Sequence, residues 1–157
     1  MGRPLEYLRV RPASEEDVGA IAGFNIRLAE ESEGLHLDPH VVRRGVAAVL
    51  GDPGRGFYLL AATPDRTVGQ LLVTPEWSDW RSRFFWWVQS VYVLPEFRGR
   101  GVLSALFDRV VEMARDDGSV HGLRLYVHQG NRQAIEVYRR LGMTRPRYDM
   151  MELDLPR

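Results

Sequence analysis

Apolar positions recur along this chain with two periods, and the switches between them outline the elements. "LEYLRVRPA", from Leu5, alternates and predicts a first strand. "SEEDVGAIAGFNIRLAEE" opens with a capping box, Ser14 with Asp17, and then sets Val18, Ile21, Ala22, Ile26 and Leu28 at helical spacing. Asp38 and Pro39 suit the N-cap and first position of a second helix over "HVVRRGVAAVL", closed by Gly51. "GFYLLAAT" and "TVGQLLVT" read as antiparallel strands joined by a turn at Pro64, Asp65 and Arg66. "PEWSDWRSR" reads as a longer connection, leading to "FFWWVQSVYV", an aromatic and β-branched run that predicts a central strand ending at Val93. A helix is predicted from Gly99 to about Asp116, with Val102, Leu106, Val110 and Met113 on one stripe. "GLRLYVH" predicts a strand, "NRQAIEVYRRLG" a helix with Asn131 as N-cap and Gly142 past its end, and "YDMMELDL" a last strand.

The order β-α-α-β-β-β-α-β-α-β implies an α/β fold with a mixed sheet and helices on both faces. With 157 residues and no internal repeat or linker, the chain is read as a single domain over 1–157. No apolar run approaches the roughly 20 residues of a membrane span, and "MGRPLEYLRV" lacks the apolar region of a secretory signal, so a cytoplasmic location without membrane contact is expected. Cysteine is absent, which removes disulfides, thiolate metal sites and cysteine nucleophiles. The formal net charge is zero, which argues against bulk attraction to nucleic acid. All 21 basic residues are Arg, so Schiff-base chemistry on lysine and the lysine of a phosphate-binding GxxxxGK loop are excluded.

"RGRGVLSAL", Arg98 to Leu106, lies between the aromatic strand and the following helix. In that position the backbone N–H groups of residues 99 to 103 lie at a helix N-terminus, where orphan donors and the helix dipole attract phosphate. Gly99 and Gly101 permit close approach of an anion, and Arg98 and Arg100 add charged donors. "VYVLPEFRGRGVLSALFDRVVEMA" resembles the acetyl-CoA-binding segment of the GCN5-related N-acetyltransferases (GNAT family). Arg98 and Gly101 match its signature, whereas Leu103 stands where a small residue is expected. A second segment, "LYVHQGNRQAIEVYRRLGM", resembles the family's other hallmark through Asn131, Ala134, Tyr138, Gly142 and Met143.

The resemblance implies a sheet whose central pair of parallel strands splays apart, and acetyl transfer from acetyl-CoA, a cosubstrate, to an amine without a metal. It implies that the pantetheine arm pairs with backbone around Val91 to Val93, and that the pyrophosphate meets Arg98, Gly99, Arg100, Gly101, Val102 and Leu103. Asn131 is implied as a contact to the cofactor arm, with a plain N-cap as the alternative. Tyr138 is implied as the acid that protonates the departing thiolate, with aromatic packing as the alternative. Many relatives carry a Glu base on the fourth strand, but here Trp87, Gln89 and Ser90 stand there. Glu30, Glu31, Glu33, Glu76, Asp79 or a water relay from Gln89 are the candidates that remain.

The acceptor implied is a primary amine of a small molecule or peptide. A protein lysine, a longer acyl donor and a non-catalytic acetyl-CoA sensor are the alternatives. His36 and His40 lack the sequence context of a metal site, Pro39 starting a helix between them. Trp77 and Trp80, read in a loop, suit either a binding surface or a homodimer contact.

Overall fold

A computed structural model describes residues 5–156. They divide into two compact units, one reaching to Tyr126 and the other starting at Val127.

The first unit is built on a five-stranded sheet in the order β1-β2-β3-β4-β5. Its strands are β1 (Arg9–Pro12), β2 (Phe57–Ala62), β3 (Thr67–Ser78), β4 (Arg83–Val93) and β5 (Val120–Leu125). The first four pair antiparallel, and β5 joins β4 in parallel. Three helices belong to this unit: α1 (Val18–Glu33), α2 (Pro39–Leu50) and α3 (Val102–Asp117).

The starts of α1 and α2 follow from side chains read in the sequence. Asp17 Oδ2 accepts from the Ser14 backbone N–H at 2.8 Å, and the same carboxylate takes both terminal nitrogens of Arg11 at 2.8 Å. A single acid thus caps the turn before α1 and ties it to β1. Asp38 accepts from the His40 N–H at 2.8 Å with Pro39 in the first turn of α2.

Burial separates two layers. Ile21 and Ala22 of α1 and Val46 of α2 pack with Tyr58, Leu60 and Leu72 of the sheet. On the other face α3 buries Val102, Leu106, Phe107 and Val110. β3 is buried continuously from Val68 to Val73, as expected of a strand covered on both sides. At Gly69 an added Cβ would lie 2.9 Å from the Val102 side chain, so the missing side chain is what lets the start of α3 sit directly on β3.

The second unit holds α4 (Arg132–Arg140). Asn131 Oδ1 accepts from the Ala134 N–H at 3.0 Å. At the other end Gly142 has φ +89°, Met143 N–H donates to Tyr138 O at 3.0 Å, and Gly142 N–H donates to Arg139 O at 3.0 Å. These are the two bonds of a Schellman motif, for which a glycine at that position is the favoured residue.

Four expectations are corrected. "YDMMELDL" forms no strand, and residues 143–156 carry neither helix nor strand; Met151 is 95% exposed. Alternation marks a segment able to be a strand but supplies no partner for its ladder. The parallel pair β4–β5 therefore closes one side of the described sheet instead of lying in its middle. Trp77 is not in a loop: β3 and β4 extend into a long hairpin, pairing Trp77 with Phe84 and Ser78 with Arg83, and only residues 79–82 turn. The third helix starts at Val102 instead of Gly99, after a 3₁₀ turn at Pro95–Phe97.

The Arg11 guanidinium, with the Ser14 bonds, holds the Asp17 carboxyl down at about 2, below its ordinary 3.8. Because the folded value is the lower one, the stabilisation is complete above pH ~4 and lost as pH falls toward 2. Asp17→Asn is expected to cost about 1 kcal/mol at pH 7, solvent screening limiting the gain from the pair. Chemical denaturation at several pH values checks this: the two proteins' stabilities should converge between pH 4 and 2.

Candidate active site

Along β4 the backbone changes direction of service. Phe84 N–H donates to Ser119 O at 2.9 Å, toward β5, whereas Leu94 N–H donates to Val68 O at 2.9 Å, toward β3. Both residues are even-numbered, so the alternation of a regular strand must slip once between them. The slip lies where Leu72 pairs with Gln89 but Gln70 pairs with Tyr92, three steps on β4 against two on β3. This is a β-bulge, and Ser90 within it takes φ +49°.

Pairing with β5 ends at Val88 and Leu125, short of the bulge. Beyond it β4 continues to Val93 with no β5 residue opposite. Counting back from Leu94, Val93 and Val91 direct their backbone groups to this open edge. The orientation of Val93 is confirmed by its carbonyl, which accepts from Arg98 Nε at 2.9 Å.

The chain then turns through Gly99 (φ +70°) and Gly101 (φ +85°) into α3. Gly101 is the N-cap, and Ala105 N–H donates to its carbonyl at 3.0 Å. A glycine cap brings no side-chain acceptor, so the N–H groups of Val102, Leu103 and Ser104 open the helix without a cap bond. A Cβ added at Gly99 or Gly101 would meet nothing within 4 Å, so space lies open in front of both.

The two arginines of the turn differ in their surroundings. Arg98 is held from three sides, by Val93 O, by Glu31 Oε2 at 2.6 Å and by the ring of Tyr92, 5.5 Å from its guanidinium carbon. Tyr92 in turn donates to Glu31 Oε1 at 2.6 Å. Those two bonds draw the Glu31 carboxyl below its ordinary range, while burial and the adjacent carboxylate push the Tyr92 phenol up. Glu31, a candidate base, is thus committed to bracing the turn. The Arg100 guanidinium carbon lies 5.7 Å from the Phe97 ring centre.

One sheet face next to the bulge gathers polar and aromatic side chains. Register places Thr74 and Glu76 of β3, Trp87 and Gln89 of β4, and Arg124 of β5 on it. Gln89 Nε2 donates to Thr74 Oγ1 at 2.5 Å, and Glu76 Oε2 accepts from Trp87 Nε1 at 2.5 Å and from Arg124 at 3.1 Å. Trp87 stacks on Tyr126 with centroids 4.5 Å apart. Asp79, by contrast, accepts from Trp80 N–H in the hairpin turn. Glu30 and Glu33 are exposed on α1, and Trp80 is 86% exposed.

In the second unit Asn131 spends its side-chain oxygen as the N-cap of α4, and burial pushes the Tyr138 phenol up. Sequence reading missed Tyr92 and Gln70. Gln70, the polar residue within the apolar run "VGQLLV", is fully buried, a signal that was available in the letters.

Comparison with known proteins gives the family. Residues 24–143 match the Acetyltransferase (GNAT) family. Thialysine N-epsilon-acetyltransferase of Bos taurus is 29% identical over 152 residues, covering 88% of this chain and 85% of its own. A possible acetyltransferase from Clostridium difficile 630 superposes with a TM-score of 0.90 at 39% identity, covering 97% of this chain and all of its own. A predicted acetyltransferase with acetyl-CoA from Clostridium acetobutylicum shares the fold, with a TM-score of 0.75 at 16% identity over 94% of this chain and 96% of its own.

Gly99 and Gly101 have room for a methyl group but not the backbone angles for one. Gly99→Ala and Gly101→Ala are each expected to lower stability by about 1 kcal/mol. Thermal melts against the parent would show it; unchanged melting would mean that the turn relaxes to negative φ.

Proposed function

The chain belongs to the acetyltransferase (GNAT) family and is an acyl-CoA-dependent N-acetyltransferase; from that premise we propose that it moves the acetyl group of acetyl-CoA to a primary amine of a small molecule. The observation that carries the proposal is the conjunction of an open backbone edge, Gln89 to Val93, with a helix that starts on a left-handed glycine. The first suits an extended amide-bearing arm, which adds to a sheet edge like a strand. The second suits a pyrophosphate, received by the amides of Gly99, Gly101, Val102 and Leu103 and by the helix dipole. Arg100 adds charge there. Arg98 acts by fixing the turn against Val93 and Glu31, and it reaches phosphate only in so far as that bracing allows. Asn131 positions α4 by capping it, leaving its amide NH₂ as the group for the cofactor arm.

In the reaction a neutral amine attacks the thioester carbonyl. The N–C bond forms, the C–S bond breaks, and the amine loses one proton while the thiolate gains one. Tyr138 supplies the proton to sulfur. Burial pushes its pKa up, so the phenol holds its proton before the reaction. β4 offers Gln89 where a carboxylate base is common in relatives, so the amine's proton leaves through water on the sheet face of Thr74, Gln89 and Glu76. A side-chain amine of an amino acid fits the name of the Bos taurus relative, thialysine N-epsilon-acetyltransferase.

Calorimetry with acetyl-CoA tests the first part: binding is expected, with a rise in melting temperature as concentration rises, and Gly101→Asp is expected to abolish both. Absence of heat and of thermal shift in the parent would refute the proposal. Tyr138→Phe is expected to lower kcat about 10²-fold with little change in KM for acetyl-CoA. With Glu76 held by Trp87 and Arg124 and not serving as the base, kcat/KM for the amine should climb with pH toward the amine's own pKa, about 10.4 for a lysine-like acceptor. A plateau already reached near pH 6 would restore a carboxylate to the mechanism.

A further inference from the structure

Gln70 is fully buried in β3, and it spends both protons of its amide nitrogen on other elements. Nε2 donates to Asn25 Oδ1 of α1 at 2.7 Å and to the backbone carbonyl of Ser90 at 3.1 Å. Its own Oε1 is buried without a hydrogen-bond partner. Asn25 completes the chain of contacts, its Nδ2 donating to the Tyr58 hydroxyl at 3.4 Å.

An orphaned buried carbonyl costs about 1–3 kcal/mol, and an amide that merely filled space would rotate to relieve it. Rotation is blocked here, because it would turn Oε1 toward two other acceptors, Asn25 Oδ1 and Ser90 O. The unsatisfied oxygen is therefore the consequence of using Nε2 twice. Its second target is the residue at which β4 slips: Ser90, at φ +49°, holds a conformation that a non-glycine residue avoids unless its surroundings enforce it.

We propose that Gln70 is a positioning residue for the acyl donor: by gripping the Ser90 carbonyl it locks the bulge of β4, and so keeps the backbone groups of Val91 and Val93 facing the open edge. Without the grip, Ser90 relaxes toward an ordinary strand angle, the slip is lost or migrates, and those groups turn away from the edge. Asn25 fixes the amide plane from the helix side, which makes α1 part of the same device. The proposal rests on reading the edge of β4 as the place where the acyl donor's arm pairs.

Three proteins test it by calorimetry with CoA: the parent, Gln70→Leu, and Gln70→Leu combined with Ser90→Gly. Leucine removes the orphaned oxygen but also takes the donor from Asn25 Oδ1 and the Ser90 carbonyl, so thermal stability should fall modestly while CoA affinity falls roughly tenfold. Glycine adopts positive φ without strain, so Ser90→Gly should restore most of that affinity by keeping the bulge without its clamp. Unchanged affinity in Gln70→Leu, or a loss that Ser90→Gly does not recover, would overturn the proposal and leave Gln70 a core residue. Should Gln70→Leu fail to fold, Gln70→Met, closer in length, takes its place with the same two readings; failure of both would also overturn it. Absence of CoA binding by the parent would instead refute the proposed function, so the two outcomes stay distinct.

Discussion

Everything in the first unit depends on one constraint: a strand must stop pairing with its parallel neighbour while still pairing with its antiparallel one. Backbone N–H and C=O groups are costly to strand without partners, so an open stretch inside a sheet persists only where something holds it open. β4 solves this asymmetrically. Its β3 side runs to Val93, and its β5 side ends at Val88. The bulge at Ser90 then rotates the alternation, so that the groups left over face one direction.

The surroundings of the open stretch serve to keep it so. Arg98 takes up the Val93 carbonyl and is itself braced by Glu31 and the Tyr92 ring. This ties α1, the end of β4 and the glycine turn into one charged assembly. Ion pairs at the surface are worth little as stability, but this one belongs to a network that joins three segments. Its value lies in position: it sets where α3 begins relative to the open edge. Gly69 contributes the complementary fit, letting the first residue of α3 rest on β3. The helix start and the strand edge are thereby held at a fixed distance from each other.

Local signals were legible in the sequence where chemistry is local. Ser14 with Asp17, Asp38 with Pro39, Asn131 with Ala134 and Gly142 all do what their letters indicate, because each cap bonds within a few residues of itself. The glycine turn was legible too, although the helix start was misplaced from Val102 to Gly99, since two left-handed glycines lengthen the turn before it. What letters could not reveal needed a partner distant in sequence. The last strand was predicted from alternation alone and does not form. The hairpin of Trp77 and Phe84 was missed because polar residues interrupt its pattern. The bracing of Arg98 by Glu31 joins residues 67 positions apart, and the bulge shows only when two strands are counted against each other.

Amide hydrogen exchange, resolved residue by residue along β4 in the protein without ligand and with CoA, probes the open edge most directly. In the free protein the Val91 and Val93 N–H groups should exchange quickly while those of Tyr92 and Leu94, facing β3, are protected; adding CoA should slow Val91 and Val93 and leave the other two unchanged. Equal protection of all four amides in the free protein would contradict the open edge, and with it the place assigned to the acyl donor.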